Sequence, residues 1–156
     1  MNPIDVVSNT SPLIFLSKIQ SLHLLEKCFH LTVIPEEVRK EWGVSSLPDF
    51  IKVRPVSTGG KSFVMGAIGR LHRGELEAVQ LAVELGCKVI LMDDLVARRL
   101  AEKKGLVPLG VLGVLKIAYE SKLLTLSEVK DKVYNLTTEF GLYVGPEVMK
   151  RYLDSL

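Results

Sequence analysis

Carboxylates recur in this chain at places from which they could share one ion. Asp93 and Asp94 stand side by side in LMDD, Glu75 and Glu77 follow Gly74 in RGELE, and Glu36, Glu37 and Glu41 punctuate PEEVRKE. Asn9 adds an amide oxygen in SNTSP, followed directly by the hydroxyls of Thr10 and Ser11. Carboxylates brought to close range repel one another, so such a group persists only if protonated or filled by a cation. Every candidate donor is oxygen, which suits a hard divalent ion such as Mg²⁺ or Mn²⁺. An ion held there could polarise a phosphodiester and activate water, the recurring logic of nucleases. Each piece alone also has a plainer reading. Adjacent aspartates after a strand are what a helix N-cap and a dipole partner look like. Glu75 and Glu77 suit a solvated first helical turn, Glu36, Glu37 and Glu41 an exposed helix face, and Asn9 a turn.

Phosphate-binding cations are placed near these acids in sequence. Arg70, His72 and Arg73 precede Glu75, while Arg98, Arg99, Lys103 and Lys104 follow Asp94. A backbone phosphate needs such neighbours, although a solvated helix face has the same composition. Other chemistries lack their residues. Thr58-Gly-Gly-Lys-Ser62 imitates the end of a phosphate-binding loop, but Pro55 occupies the position where that pattern needs glycine, so the segment reads as a loop. His23, His30 and His72 are scattered without metal-ligand spacing, and no Gly-x-Ser-x-Gly elbow occurs. Trp42 reads as core packing or a partner contact rather than a platform for a base.

The elements that must position these residues alternate between strand and helix. Apolar β-branched runs predict strands at 4–8, 31–34, 51–56 (an edge, with Pro55 near its end), 88–92 and 106–109. Helical spacing predicts helices at 13–27 (broken near Gln20-Ser21), 36–42, 62–71, 74–85, 95–104, 111–122, 126–140 and 146–156. Alternation of this kind predicts an α/β fold with a mostly parallel central sheet flanked by helices on both faces. Ligands in such folds collect beyond the carboxyl ends of the strands, where strand order reverses. Asn9, the 36–42 helix and Asp93-Asp94 follow strands, and if the start of the 74–85 helix converges on them, several carboxylates share one small space.

With 156 residues, the chain is in the range that usually forms one domain, here spanning 1–156. Hydrophobic residues make up 47%, ample for a core, and a formal net charge of +2 offers no global field for nucleic acid. Any such contact must come from a local patch. Cys28 and Cys87 have no metal or redox spacing and are expected to be buried free thiols. The N-terminal MNPIDVV lacks the order of a signal peptide, and no apolar run reaches the ~18–20 residues that cross a bilayer. A soluble, cytoplasmic protein without membrane contact is expected.

Taken in order, these stretches resemble the PIN-domain family, and within it the VapC-like branch of toxin ribonucleases. The resemblance is carried by VVSNTSPLIFLSKI at 6–19, VIPEEVRKEW at 33–42, RGELEAVQLAVELG at 73–86, LMDDLVARRLAEKKGL at 91–106 and LGVLGVLKIAYESKLL at 109–124. It spans about residues 4–124, leaving 125–156 as C-terminal helices. It implies a PIN-like three-layer fold and a Mg²⁺- or Mn²⁺-dependent endoribonuclease. Its catalytic positions fall on Asn9, Glu41, Glu75 and Asp94, its metal positions on those four with Glu77 and Asp93, and either Glu75 or Glu77 fills the third place. Thr10 and Ser11 correspond to hydroxyls near a ligand, and with Arg73, Arg98 and Arg99 form the expected nucleic-acid contacts. The branch further implies the toxin of a toxin–antitoxin pair, a homodimer built on the C-terminal helices (Leu136, Phe140, Tyr143, Val148, Tyr152), RNA as substrate and a small antitoxin protein as partner. Asn9 departs from the family pattern, which has aspartate there; an amide coordinates without bringing charge. That departure favours the other reading, a catalytically weak or inactive PIN-like module that binds RNA or a protein partner.

Overall fold

The computed structural model describes residues 4–67, 69 and 71–156. Its five strands are β1 (Asp5–Ser8), β2 (Leu31–Pro35), β3 (Ile51–Arg54), β4 (Val89–Leu91) and β5 (Val107–Leu109), every neighbouring pair parallel, in the order β3-β2-β1-β4-β5. Parallel strands need covered faces, and the pleat sends successive side chains to opposite sides. Val6, Ile34, Val89 and Leu91 accordingly share one core, while Val7, Val33, Ile90 and Met92 share another.

The first core is closed by α1 (Thr10–Lys18), α2 (Leu24–Cys28), α7 (Val111–Glu120) and α8 (Leu126–Thr138), through residues such as Leu13, Leu25, Leu115 and Val129. The second is closed by α5 (Arg73–Leu85) and α6 (Leu95–Lys103), through Val79, Leu81, Ala97 and Ala101. The result is the expected three-layer arrangement with a wholly parallel sheet. The remaining helices are α3 (Glu36–Trp42), α4 (Thr58–Ala67) and α9 (Pro146–Asp154). Among the described residues no helix is long and apolar enough to cross a membrane.

The break expected near Gln20-Ser21 separates α1 from α2. Gln20 adopts φ 55°, and the Ser21 amide reaches back to Leu16 O at 2.7 Å, a left-handed stop that satisfies the helix's last carbonyls. Helix α4 departs from expectation, beginning at Thr58 where a loop was anticipated. Gly59 and Gly60 disfavour a helix by propensity, but tertiary contacts decide here. Ser57 Oγ accepts the Gly60 amide at 2.9 Å, and Glu84 of α5 accepts the Ser57 amide at 3.0 Å. A Cβ on Gly60 would collide with Glu84 and Val56, so the glycine lets α4 lie close to α5. The phosphate-loop imitation is thus a helix's first turn. Ile68 and Arg70, within the stretch expected to be helical, lie outside the described residues.

Two further expectations are corrected. Cys28 and Cys87 are free but only half-buried, and burial still pushes the Cys28 thiol up to about 11. Leu136, assigned to an outward face, is wholly interior, as part of the first core on the side of α8 packed against α7. Tyr152 is also partly engaged, its hydroxyl donating to Leu112 O at 2.8 Å. Tyr143 and Val148 do stand exposed, at 84% and 50%.

Candidate metal centre

Strands β1 and β4 are neighbours, with Ser8 opposite Leu91, although the chain runs outward from them in opposite directions. That is the point of reversed strand order, where a crevice opens beyond the carboxyl ends. Asn9 follows β1 directly at this end of the sheet. The Asn9 amide N–H bonds Leu91 O at 2.9 Å, the residue is 3% exposed, and its side-chain Oδ1 has no hydrogen-bond partner. A buried polar oxygen without a donor is costly, and Asn9 Oδ1 and Asp93 Oδ2 are both such atoms, each open to a water or an ion.

Thr10, the first residue of α1, donates its hydroxyl to Glu41 Oε2 at 2.8 Å. This bond fixes the last acid of α3 against the end of β1. The approach also depends on Gly74 of α5, where a Cβ would strike Glu41 Oε1 and stand 2.9 Å from its Cδ. Glu75 follows, its Oε2 accepting the His72 N–H at 3.1 Å as the N-terminal turn of α5 forms. Its carboxyl is raised above the ordinary range, first by burial, then by the charges of Asp94 and Glu41, against the lowering effect of the His72 amide. Glu41 of α3 and Asp94 of the β4–α6 turn are thus both within electrostatic reach of Glu75. Asp94 also caps α6, Oδ1 accepting the Ala97 amide at 2.9 Å.

The other expected ligands are differently engaged. Glu77 is 2% exposed, and Arg73 Nε bonds its Oε2 at 3.1 Å while lying 3.7 Å from Glu37. Glu37 also receives Lys40 at 3.6 Å. Glu77 and Arg73 thus tie α5 to α3, which leaves Glu75 as the member of the pair that meets the other acids. Asp93 turns toward α7, its Oδ1 accepting the Val111 amide at 3.0 Å, and burial pushes its carboxyl up to about 6 despite that bond and the nearby Arg98. Arg98 donates to Met92 O at 3.1 Å. Ser11 is half-buried beside Thr10, and Arg99 is exposed on α6. Asp5 faces away, bonding His30 at 2.8 Å at the amino end of the sheet.

Among the described residues no three His, Cys, Asp or Glu side chains already stand close enough to enclose an ion by themselves. A small dication does not require such a cage, since Mg²⁺ keeps several waters and takes one or two carboxylates directly. The unpartnered Asn9 oxygen, and the raising of the Glu75 carboxyl by Asp94 and Glu41, fit an ion held in that way.

Gly74 was legible only as a helix start, and its steric role emerges from the packing. Gly74→Ala is expected to weaken divalent-ion binding about tenfold, because Glu41 must swing away and lose Thr10. The displaced group is the end of a flexible side chain, and alanine favours a helix by about 1 kcal/mol, so the melting temperature should hold or rise. Calorimetric Mn²⁺ titration beside thermal melts checks both halves; a fall in stability with unchanged binding would contradict it.

A family model described as DUF3368: PIN domain matches residues 5–156 of the chain. No curated protein matches it.

Proposed function

The chain belongs to the PIN-domain family, and from that premise we propose that it is a metal-dependent endoribonuclease, the toxin of a toxin–antitoxin pair. PIN domains are generally metal-dependent nucleases. The observation that carries the reading to this chain is the influence of Asp94 and Glu41 on Glu75, beside the unpartnered Asn9 oxygen. Mg²⁺ or Mn²⁺, when bound, would polarise a phosphodiester and lower the pKa of water beside it. Glu41, Glu75 and Asp94 supply the negative charge that holds the ion, and Asn9 supplies a neutral oxygen. Thr10 keeps Glu41 in place, with Ser11 next to it. Arg99, exposed on α6, and Arg73, part-exposed at the head of α5, are the cations this reading assigns to backbone phosphates. Arg98, bonded to Met92 O, serves the turn before it serves RNA.

A cytoplasmic location, a small antitoxin protein covering the acidic crevice and a homodimer drawing on the exposed Tyr143 and Val148 belong to the same reading. Asn9 supports the second one, a weak or inactive module that holds RNA or a protein partner, since one carboxylate fewer weakens the grip on a dication.

Cleavage of assorted RNAs and single-stranded DNAs, with Mn²⁺ and with chelator, separates the two. Wild-type protein should cut RNA only with metal, and Asp94→Asn should lower the rate about 100-fold, the upper end of what even outer partners of a metal site are worth. Binding without cutting supports the second reading, and equal cutting by Asp94→Asn contradicts the first.

A further inference from the structure

The adjacent aspartates do different work. Asp94 caps the helix that follows it, its Oδ1 accepting the Ala97 amide at 2.9 Å. Asp93 Oδ1 instead reaches across 18 residues of chain to the Val111 amide in the first turn of α7. That turn has a particular need. Its N-cap is Gly110, which has no side chain to satisfy the amides left open at a helix start. Asp93 supplies the missing acceptor at the start of the helix.

The fit is close. A Cβ on Gly110 would collide with Asp93 Oδ1 and come within 3.2 Å of Arg98 Nη1. The turn is pinned at each residue. The Met92 amide bonds Leu109 O at 2.9 Å, and Met92 O receives Arg98 at 3.1 Å. Asp93 holds Val111 at 3.0 Å through Oδ1, its Oδ2 buried without a partner, and Asp94 Oδ1 holds Ala97 at 2.9 Å.

We propose that Asp93 is a positioning residue that locks the β4–α6 turn onto the start of α7 so that Asp94 is presented to the crevice, and that Asp93 does not itself hold the ion. This rests on the metal-site reading above. A carboxylate ligand holds a dication largely through its charge, whereas a latch needs only an acceptor oxygen, and asparagine keeps the second while removing the first.

The test uses the full chain as wild type, Asp93→Asn, Asp93→Ala and Asp94→Asn. Mn²⁺ affinity is followed by electron paramagnetic resonance and the Val111 amide by hydrogen exchange. Asp93→Asn should stay within about twofold of wild type in affinity and keep Val111 protected. Asp93→Ala should lose that protection and weaken Mn²⁺ about tenfold, the scale of a lost outer-shell contact. Asp94→Asn should weaken Mn²⁺ at least tenfold with Val111 still protected. If Asp93→Asn weakens binding as much as Asp94→Asn while Val111 stays protected, Asp93 is a ligand and the proposal is overturned. Unchanged affinity and protection in Asp93→Ala overturn it as well. Should that variant not fold, Gly110→Ala displaces the same contact and is read the same way. A wild type that takes up no Mn²⁺, or an Asp94→Asn protein that binds it normally, overturns the metal reading itself and the proposal with it.

Discussion

Asn9→Asp should leave the metal-free protein less stable and make it bind Mn²⁺ more tightly. Position 9 is 3% exposed at the end of β1, next to the Thr10–Glu41 contact and bonded through its backbone to β4. A carboxylate there would be desolvated and face Glu41, Glu75 and Asp94, so without a cation it must take up a proton or strain the fold. The loss should be about 1–3 kcal/mol, the cost of a buried group left unsatisfied. For a domain of this size that lowers the melting temperature by roughly 5 °C in chelator. With Mn²⁺ present the added charge becomes an asset, and affinity should rise at least about tenfold. Thermal melts of both proteins in chelator and in saturating Mn²⁺ would display the crossover. Equal stability in chelator, with no extra response to Mn²⁺, would mean that position 9 does not share the space of the three acids.

Asp93→Asn should have the opposite effect on the metal-free protein, and the effect should depend on pH. Burial raises the Asp93 carboxyl from 3.8 to about 6 in the folded state. The folded protein therefore holds this proton more firmly than the unfolded chain does. Stability contributed at Asp93 is greatest below about pH 4, declines as pH rises toward 6, and above 6 is replaced by the full cost of a buried charge. A difference of that size between folded and unfolded chain corresponds to roughly 3 kcal/mol. Asparagine cannot ionise and retains the oxygen that accepts the Val111 amide, so the variant should melt several degrees higher at pH 7.5 and match wild type near pH 4. Glu84 and Glu128 are lowered by their hydrogen bonds to Ser57 and Thr125, so their contributions fade as pH falls through the ordinary glutamate range. Both proteins share those groups, and they cancel in the comparison. A gap independent of pH, or a variant less stable at pH 7.5, would contradict this.

Most of the sheet was legible in the sequence because buried parallel strands must be apolar on both faces, as VVS, TVIP and VIL are. Helix α4 was not, since Gly59 and Gly60 speak against a helix and the reason for Gly60 lies 24 residues away at Glu84. The acids themselves were legible from their places at strand ends. Their division of labour was not. Glu75 and Glu77 lie about 200° apart around a helix, so one meets the crevice while the other meets Arg73 and α3. Spacing gives that angle but not the phase of the helix against the sheet. Asp93 and Asp94 are likewise separated by a turn whose direction is set by Val111 and Ala97, neither of which marks itself in sequence.

Glu41, Glu75 and Asp94 are proposed to hold one divalent ion beside Asn9. Crystals grown with Mn²⁺ and measured for its anomalous scattering would locate the ion directly. The expected result is a single strong peak bounded by those three carboxylates, with the Asn9 oxygen facing it directly or through one water. A peak elsewhere at saturating Mn²⁺, or none, would contradict the claim.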